Sequence, residues 1–302
     1  MSVDVPAPGD HGGDGARLAA SLGVSPDEVL DLSMSLNPYA PDVANLARRH
    51  VDALRRYPDS EEAHDALARA IGIDRGRLVL TNGGAEAIAL VAAEWPNGDV
   101  ADPEFSLYAR HLETVAPGAP RWRSNPHNPT GRLAAPDETA AVWDEAFYPL
   151  ATGCWTRGDD AIVVGSLTKV FACPGLRIGY VVTPDADTAS CVGRRQSEWA
   201  LNSLACAVLP DLLAQCDVAA CAAAIRVARA ALVAALEACG LEPDPSDANF
   251  VLVRRAPELR THLARRGVLV RDTASFGIPG GVRVAVPGPT NLDRLASALE
   301  DY

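Results

Sequence analysis

The segment "SLTKVFACPGLRIGY", residues 166–180, contains the only lysine of this 302-residue chain, and the 26 other basic residues are all arginines. A primary amine condenses with an aldehyde to form a Schiff base, whereas a guanidinium stays protonated and cannot. Lys169 also follows an apolar run that is typical of a strand. It is therefore a candidate Schiff-base lysine. An ordinary surface lysine is the alternative, and this segment alone leaves the two equally open.

Two other features of the sequence suit a phosphate group. Ser166 and Arg177 lie on either side of the lysine, and both side chains can donate hydrogen bonds to phosphate. Further upstream, "TNGGAEA" (81–87) joins a short apolar strand to a helix through two glycines. Such a turn presents free backbone N–H groups and the positive end of the helix dipole to an anion.

Polar residues on two further loops indicate an aromatic cofactor. "NPHNPTG" (125–131) supplies Asn128, and "WDEAF" (143–147) supplies Asp144 directly after an apolar strand. A carboxylate that faces a pyridine nitrogen keeps the nitrogen protonated and makes the ring an electron sink. Lys169 and Asp144 are therefore the candidate catalytic pair.

Composition and charge exclude several classes of function. The net charge of −12 argues against a nucleic-acid or anionic-membrane partner, both of which favour a basic face. Seven cysteines without a CxxC pair and six histidines without ligand spacing predict reduced thiols and no metal site. The N-terminus lacks the pattern of a signal peptide, and Arg226 and Arg229 interrupt the most apolar stretch. We expect a cytoplasmic protein.

The order of elements predicts an α/β protein. Strands alternate with helices from about residue 78 to residue 183, and a long helical region is predicted from about 186 to 240. From "NFVLVRR" (249–255) onward, the pattern indicates a smaller α+β unit.

"NPHNPTG", "DEAF" and "SLTKVFACPGLRIGY", in this order, resemble the fold type I pyridoxal-phosphate enzymes of the histidinol-phosphate aminotransferase group. This resemblance implies a large cofactor-binding domain over residues 41–200, with a central, mostly parallel sheet. It also implies a small α+β domain over 201–302 and an N-terminal arm, 1–40, that contributes to the small domain and the active site. The implied cofactor is pyridoxal 5'-phosphate.

The resemblance assigns a role to each matching residue. Lys169 would carry the cofactor as a Schiff base and move protons, Asp144 would pair with the pyridine nitrogen, and Asn128 would hydrogen-bond the ring oxygen. Phe105 of "DPEFSLY" would stack on the ring. The implied contacts to the cofactor phosphate are the backbone amides of Gly84, Ala85 and Glu86, the side chains of Ser166 and Arg177, and Tyr57 of a neighbouring subunit. A homodimer with shared active sites follows from the last of these.

Narrower features resemble the L-threonine-O-3-phosphate decarboxylases of cobalamin biosynthesis more than the aminotransferases. They are "HGGD" (11–14), "LDLSMSLNP" (30–38) and "SEWALNSLA" (197–205). The residues that this resemblance places at a small phosphorylated amino-acid substrate are His11, Gly12, Ser35, Asn128, Arg271 and Arg283. The expected reaction is decarboxylation to (R)-1-amino-2-propanol phosphate, by a lyase. A histidinol-phosphate-type aminotransferase is the second possibility.

The chain departs from the family pattern by being short. Few residues separate Phe105 from Asn128 and Asn128 from Asp144, and these intervals usually hold an extra helix and extra strands. We therefore expect a large domain that is trimmed on one side. A non-catalytic cofactor-binding protein is a third possibility, but the retained cofactor residues favour an active enzyme.

Overall fold

The computed structural model describes residues 4–158 and 160–302. The N-terminal part consists of short elements. They are helix α1 (Gly15–Leu22), strand β1 (Leu30–Asp31) and helices α2 (Val43–Arg49) and α3 (Glu61–Ile71). Single 3-10 turns occur at Pro26–Glu28, Val51–Arg55, Arg75–Arg77 and Ala274–Phe276.

A seven-stranded sheet forms the centre of the fold. Its strands are β2 (Leu78–Thr81), β3 (Asn97–Val100), β4 (Thr114–Val115), β5 (Arg121–Ser124), β6 (Val142–Asp144), β7 (Ile162–Ser166) and β8 (Gly179–Val182). The strand order is β2-β8-β7-β6-β5-β3-β4. The five strands from β7 to β4 are parallel, whereas β8 runs antiparallel to both of its neighbours.

Helices cover both faces of this sheet. Besides α3, they are α4 (Gly83–Glu94), α5 (Leu107–His111), α7 (Leu167–Val170), α8 (Ala186–Gly193) and α9 (Ser203–Gln215). The short helix α6 (Tyr148–Thr152) instead buries its Leu150 in the core of the C-terminal part. Side chains of α4 and α8 pack with Trp122 on one face, and those of α3 and α9 pack with Trp143 on the other. Burial of apolar side chains on both faces explains why the central strand β7 begins with the continuous apolar run "IVV".

The C-terminal part has its own core. Helix α10 (Val218–Ala238) precedes strand β9 (Phe250–Val253), helix α11 (Leu259–Ala264), strands β10 (Val268–Leu269), β11 (Arg271–Asp272) and β12 (Val282–Ala285), and helix α12 (Leu292–Leu299). Strands β11, β12 and β9 form an antiparallel sheet, and β10 pairs in parallel with β1. The pairing of β1 with β10 attaches the N-terminal segment to this core.

The architecture confirms the predicted α/β fold with a central, mostly parallel sheet and a smaller C-terminal α+β part. The division at residues 40 and 200 stays a prediction. Helix α9 follows residue 200, yet its buried side chains belong to the core of the larger sheet. The predicted helical region from 186 to 240 is three separate helices, with breaks at 194–202 and 216–217.

In the short intervals of the large domain, both within 4–158, strands of the sheet are present, but a helix connecting β5 to β6 is absent. The interval between Phe105 and Asn128 still holds α5, β4 and β5. The loop from 125 to 141 connects the parallel strands β5 and β6 without a helix. Trp143 of β6 is nevertheless fully buried, and the Arg123 and Arg157 guanidinium groups lie 5.7 and 4.9 Å from its ring centre.

Among the described residues, α10 is the one helix whose length and composition would allow it to cross a membrane, a test that buried core helices also pass. Its side chains Ile225, Leu232 and Leu236 are fully buried in the C-terminal core. Arg229 donates two hydrogen bonds of 2.8 Å from this helix to the carbonyls of Asp247 and Ala248. Within 4–158 and 160–302, no group of three histidine, cysteine or acidic side chains is placed to hold a metal ion.

Candidate active site

The carboxyl ends of three parallel strands bring the candidate residues together. Ser124 ends β5, Asp144 ends β6 and Ser166 ends β7, and the register pairs Ser124 with Asp144. In open α/β sheets, ligands bind beyond this edge. A cavity of about 270 Å³ lies there.

Twelve of the predicted site residues line this cavity. They are His11, Gly12, Gly84, Ala85, Phe105, Asn128, Asp144, Ser166, Lys169, Arg177, Arg271 and Arg283. These residues come from the N-terminal segment, the seven-stranded and three-stranded sheets and several loops, so only the tertiary structure could bring them together.

Three predicted residues do not line the cavity. Ser35 is 1% exposed beneath the wall, and its neighbours Met34 and Leu36 line the cavity instead. The Glu86 carboxylate faces away from the cavity. It accepts hydrogen bonds from the backbone amide of Asn82 and from the side-chain amide of Gln196. Tyr57 is 76% exposed on the surface, as a residue that reaches into a second subunit would be.

Lys169 lies in α7, half-buried at the cavity wall. Its Nζ donates a hydrogen bond of 2.7 Å to the Met34 carbonyl and lies 5.7 Å from the Phe147 ring centre. Burial, with the positive charges of Arg283 and Arg177, lowers the pKa of Lys169 to about 8. A pKa in this range makes the neutral amine, which is the nucleophilic form, available near neutral pH.

Asp144 is held in a defined orientation. Its Oδ1 accepts a hydrogen bond of 3.0 Å from the Ala146 amide, and its Oδ2 accepts one of 2.7 Å from the Tyr108 hydroxyl. Burial raises the pKa of Asp144, and these two hydrogen bonds together with the charge of Lys169 oppose that rise. A buried carboxylate with a raised pKa is stabilised by a protonated ring nitrogen.

The glycine turn before α4 lies directly against Ser166 and Arg177. A Cβ at Gly83, whose φ is +81°, would approach Arg177 Nη2 to 2.4 Å, and a Cβ at Gly84 would lie 3.2 Å from the Ser166 Cβ. The first backbone N–H groups of α4 have no partner within the helix. Together, these groups form a cradle of donors for an anion such as phosphate.

Arg283 of β12 reaches across to Asn128. Its Nη1 donates to the Asn128 side-chain oxygen, and its Nη2 lies 3.5 Å from the Ser33 carbonyl. The guanidinium stacks 4.6 Å from the Phe250 ring centre and is 6% exposed. Its Nε has no hydrogen-bond partner, and burial lowers the pKa of Arg283 to about 9.

Arg271 of β11 holds the N-terminal segment over the cavity. It donates hydrogen bonds to the carbonyls of Gly9 and Asp10 and to the Ser275 hydroxyl. His11 lies next in the chain, with its ring centre 5.8 Å from that of Phe105. Gly12 passes so close to Ser33 that a Cβ would approach the Ser33 carbonyl oxygen to 2.4 Å. Arg271 therefore positions His11 in addition to lining the cavity.

The cavity carries more positive charge than its own carboxylates neutralise. Lys169, Arg177, Arg271 and Arg283 all line it, and across 4–158 and 160–302 none of the four forms an ion pair within 4.0 Å. A buried cation without a counter-ion is costly. The arrangement therefore favours a ligand with more than one anionic group.

Several lining residues are not predicted as site residues from the sequence. They are Ser33, Met34, Leu36, Ile88, Leu107, Ala146, Phe147, Thr168, Pro174 and Phe276. Thr168 is the most informative, since its buried hydroxyl has no hydrogen-bond partner. Its place next to Lys169 in the sequence could have identified Thr168 as a site residue. Phe276, in contrast, reaches the cavity only because the C-terminal sheet packs there.

Comparisons with known proteins agree with this geometry. The model of the family "Aminotransferase class I and II" matches residues 122–299. A threonine-phosphate decarboxylase from Salmonella typhimurium is 30% identical, with 96% of each chain covered. A histidinol-phosphate aminotransferase from Natronomonas pharaonis is 27% identical, with 94% of each chain covered.

The chain belongs to the aminotransferase class I and II family. This confirms the group that the sequence resembles. The fold agrees as well: the crystal structure of histidinol-phosphate aminotransferase from Sinorhizobium meliloti in complex with pyridoxal-5'-phosphate superposes with a TM-score of 0.76 at 18% identity. That match covers 93% of this chain and 92% of the other.

Membership of the aminotransferase class I and II family implies pyridoxal phosphate as the cofactor, which confirms the cofactor prediction. The residues of this cavity fit it. Lys169 supplies an amine with a lowered pKa, and Asp144 supplies a buried carboxylate. The cradle around Gly84 and the unpaired Thr168 hydroxyl supply donors for a phosphate group.

Proposed function

We propose that this chain is a pyridoxal-phosphate-dependent lyase that decarboxylates L-threonine O-3-phosphate, or a close phosphorylated amino acid, to (R)-1-amino-2-propanol phosphate. The observation that carries the proposal is the set of cavity cations without counter-ions. Arg177 lies at the glycine cradle and would meet the cofactor phosphate. Arg271 and Arg283 remain for the substrate, whose carboxylate and phosphate are both anionic.

Each residue has a part in this proposal. When bound, the cofactor would supply an electron sink for the bond that breaks at the substrate Cα. Lys169 would hold the cofactor, and it would give a proton to Cα, where the departing CO₂ leaves its electron pair. Asp144 would keep the ring nitrogen protonated. Arg283 and Arg271 hold the anionic groups of the substrate and so select which bond at Cα breaks, while His11 closes the cavity above Phe105.

Transamination by a histidinol-phosphate-type aminotransferase is the second candidate, and the similarity to the Natronomonas pharaonis enzyme supports it. In that reaction, Lys169 would remove the proton from Cα and the carboxylate would stay. The two candidates share Lys169 and Asp144 and differ in how the arginines orient the substrate.

The test is a reaction of the purified holoenzyme with carboxyl-labelled L-threonine phosphate. We expect labelled CO₂ in equal amount to the amino-alcohol phosphate, which phosphorus NMR detects. Amino transfer from glutamate without CO₂ would replace this proposal with the second candidate. An absence of both reactions, with the cofactor bound, would favour a non-catalytic binding protein.

Arg283→Gln tests the role of the buried cation. We expect kcat/KM to fall by about 100-fold, because a charge-assisted contact to the substrate is lost. Arg265→Gln, at an exposed arginine of the same part of the chain, is the matched control and should leave kcat/KM unchanged. Equal effects of the two substitutions would contradict a specific role for Arg283.

A further inference from the structure

A buried carboxyl group, Glu104, lies directly behind the cavity wall. It precedes Phe105 in the chain, is 8% exposed and does not line the cavity. Ser124, the last residue of β5, makes two hydrogen bonds with it: the Ser124 amide donates to Oε1 at 3.1 Å, and the Ser124 Oγ lies 2.6 Å from Oε2. Glu104 is therefore fixed to the end of the strand that leads to Asn128.

Ser124 connects Glu104 to Asn128, one of the groups that the resemblance assigns to the cofactor ring. The backbone amide of Asn128 donates a hydrogen bond of 2.8 Å to the Ser124 Oγ. One chain of hydrogen bonds thus runs from Glu104 through Ser124 to Asn128.

The groups around Glu104 leave its carboxyl without a close cation. His127 Nε2 lies 3.8 Å from Oε1 but donates instead to the Pro103 carbonyl, while His127 Nδ1 accepts from Thr130. Arg123 pairs with Glu138 at 2.9 Å. Burial and the nearby charge of Asp144 raise the pKa of Glu104 to about 8, so the carboxyl is mostly protonated at neutral pH.

We propose that Glu104 is a positioning residue that, through Ser124, orients Asn128 toward the cofactor ring. The Glu104 carboxyl holds both the amide and the hydroxyl of Ser124, and the Ser124 Oγ in turn accepts from the backbone amide of Asn128. Without the carboxyl, the Ser124 side chain could rotate away, and the turn that carries Asn128 would lose this contact.

This inference rests on the proposed cofactor site but not on which reaction the site performs. Its test is the pH titration of the visible absorbance of the bound cofactor in the holoenzyme. Glu104→Gln keeps a donor toward Ser124 Oγ and an acceptor for the Ser124 amide. We therefore expect the apparent pKa of the cofactor absorbance to stay within about 0.3 units of the wild-type value. Glu104→Ala removes both, and we expect a shift of about one unit, the size that one lost hydrogen bond produces.

Two further variants make the result decisive. Ser124→Ala breaks the connection at its centre and should reproduce the shift, which keeps the proposal testable if Glu104→Ala fails to fold. Glu113→Gln, at an exposed carboxyl, should leave the titration unchanged. A wild-type protein that forms no visible absorbance with pyridoxal phosphate would refute the proposed site itself. Normal wild-type absorbance with an unshifted titration in the Ala variants would refute only the role of Glu104.

Discussion

Lys169 lies among groups that disfavour its charged form. Burial contributes most, and the guanidinium groups of Arg283 and Arg177 add to it, so that the pKa falls from 10.5 to about 8. An arginine at this position would stay protonated and could not react with an aldehyde. The use of a single lysine in an arginine-rich chain therefore has a chemical reason in the structure.

The lowered pKa predicts how the protein without cofactor responds to pH. The rate at which pyridoxal phosphate attaches should rise with pH and reach half its maximum near pH 8, because the neutral amine is the attacking form. The unfolded chain binds more protons at this position between pH 8 and 10.5, so the contribution of Lys169 to stability increases with pH in that window. Stopped-flow absorbance measures the rate, and Lys169→Arg should show no attachment. A midpoint near pH 10 would contradict the lowered pKa of Lys169.

At the scale of elements, the contact between β8 and the glycine turn before α4 shapes the phosphate cradle. Gly179 opens β8, and a Cβ there would lie 2.4 Å from the Gly83 carbonyl carbon and 2.6 Å from the Gly84 amide nitrogen. Both atoms belong to the backbone and cannot rotate away as a side chain could. The close packing of strand against turn therefore requires glycine at this position.

Gly179→Ala should push the turn away from β8. We expect a loss of stability of about 1 to 3 kcal/mol, the usual cost of overpacking, and weaker binding of pyridoxal phosphate. Thermal unfolding and a cofactor titration measure the two effects. Gly175→Ala, in the same segment, is the matched control because no atom lies within 4 Å of its Cβ. Equal stability and cofactor affinity in both variants would show that the close approach is unimportant.

At the scale of the whole molecule, an exposed aromatic pair is the surface at which we would expect a second subunit to bind. Tyr57 and Trp199 are 76% and 61% exposed, and their ring centres lie 4.6 Å apart. Val51 and Leu54 are also more than half exposed on the preceding turn. Neighbouring exposed apolar side chains of this size favour a protein interface, as the homodimer implied by the resemblance would require.

Hybrid dimers test whether Tyr57 acts across this interface. Tyr57→Ala and Lys169→Ala subunits, each inactive or weak alone, should together form one complete site per hybrid dimer. Co-expression in equal amounts should then restore about a quarter of the wild-type activity, since half of the dimers are hybrids. The control is a subunit that carries both Tyr57→Ala and Lys169→Ala, co-expressed with the Lys169→Ala subunit. This combination should restore no activity. Activity no greater than that of the separate variants would place Tyr57 within its own subunit.

The sequence predicted most of the strands that carry the site, because β2, β6 and β7 are apolar and end in polar residues, and β8 is apolar to its last residue. It did not predict β4 or β5. Strand β4 has two residues, and β5 reads "RWRS", so neither has the length or pattern that marks a strand. Both exist because parallel neighbours in the sheet supply their hydrogen bonds.

The sequence by itself determined the family and the cofactor and predicted the cofactor contacts, because the reacting lysine and the phosphate turn are local motifs whose chemistry depends on residue type and short spacing. Only the tertiary structure decided what surrounds them. In the folded chain, Arg271 donates hydrogen bonds to carbonyls of the N-terminal segment, and Ser35 is buried behind the cavity wall. It also tied Glu104 to the end of β5. These relations depend on burial and on contacts between distant segments, and both arise only when the sheets and the N-terminal segment pack together.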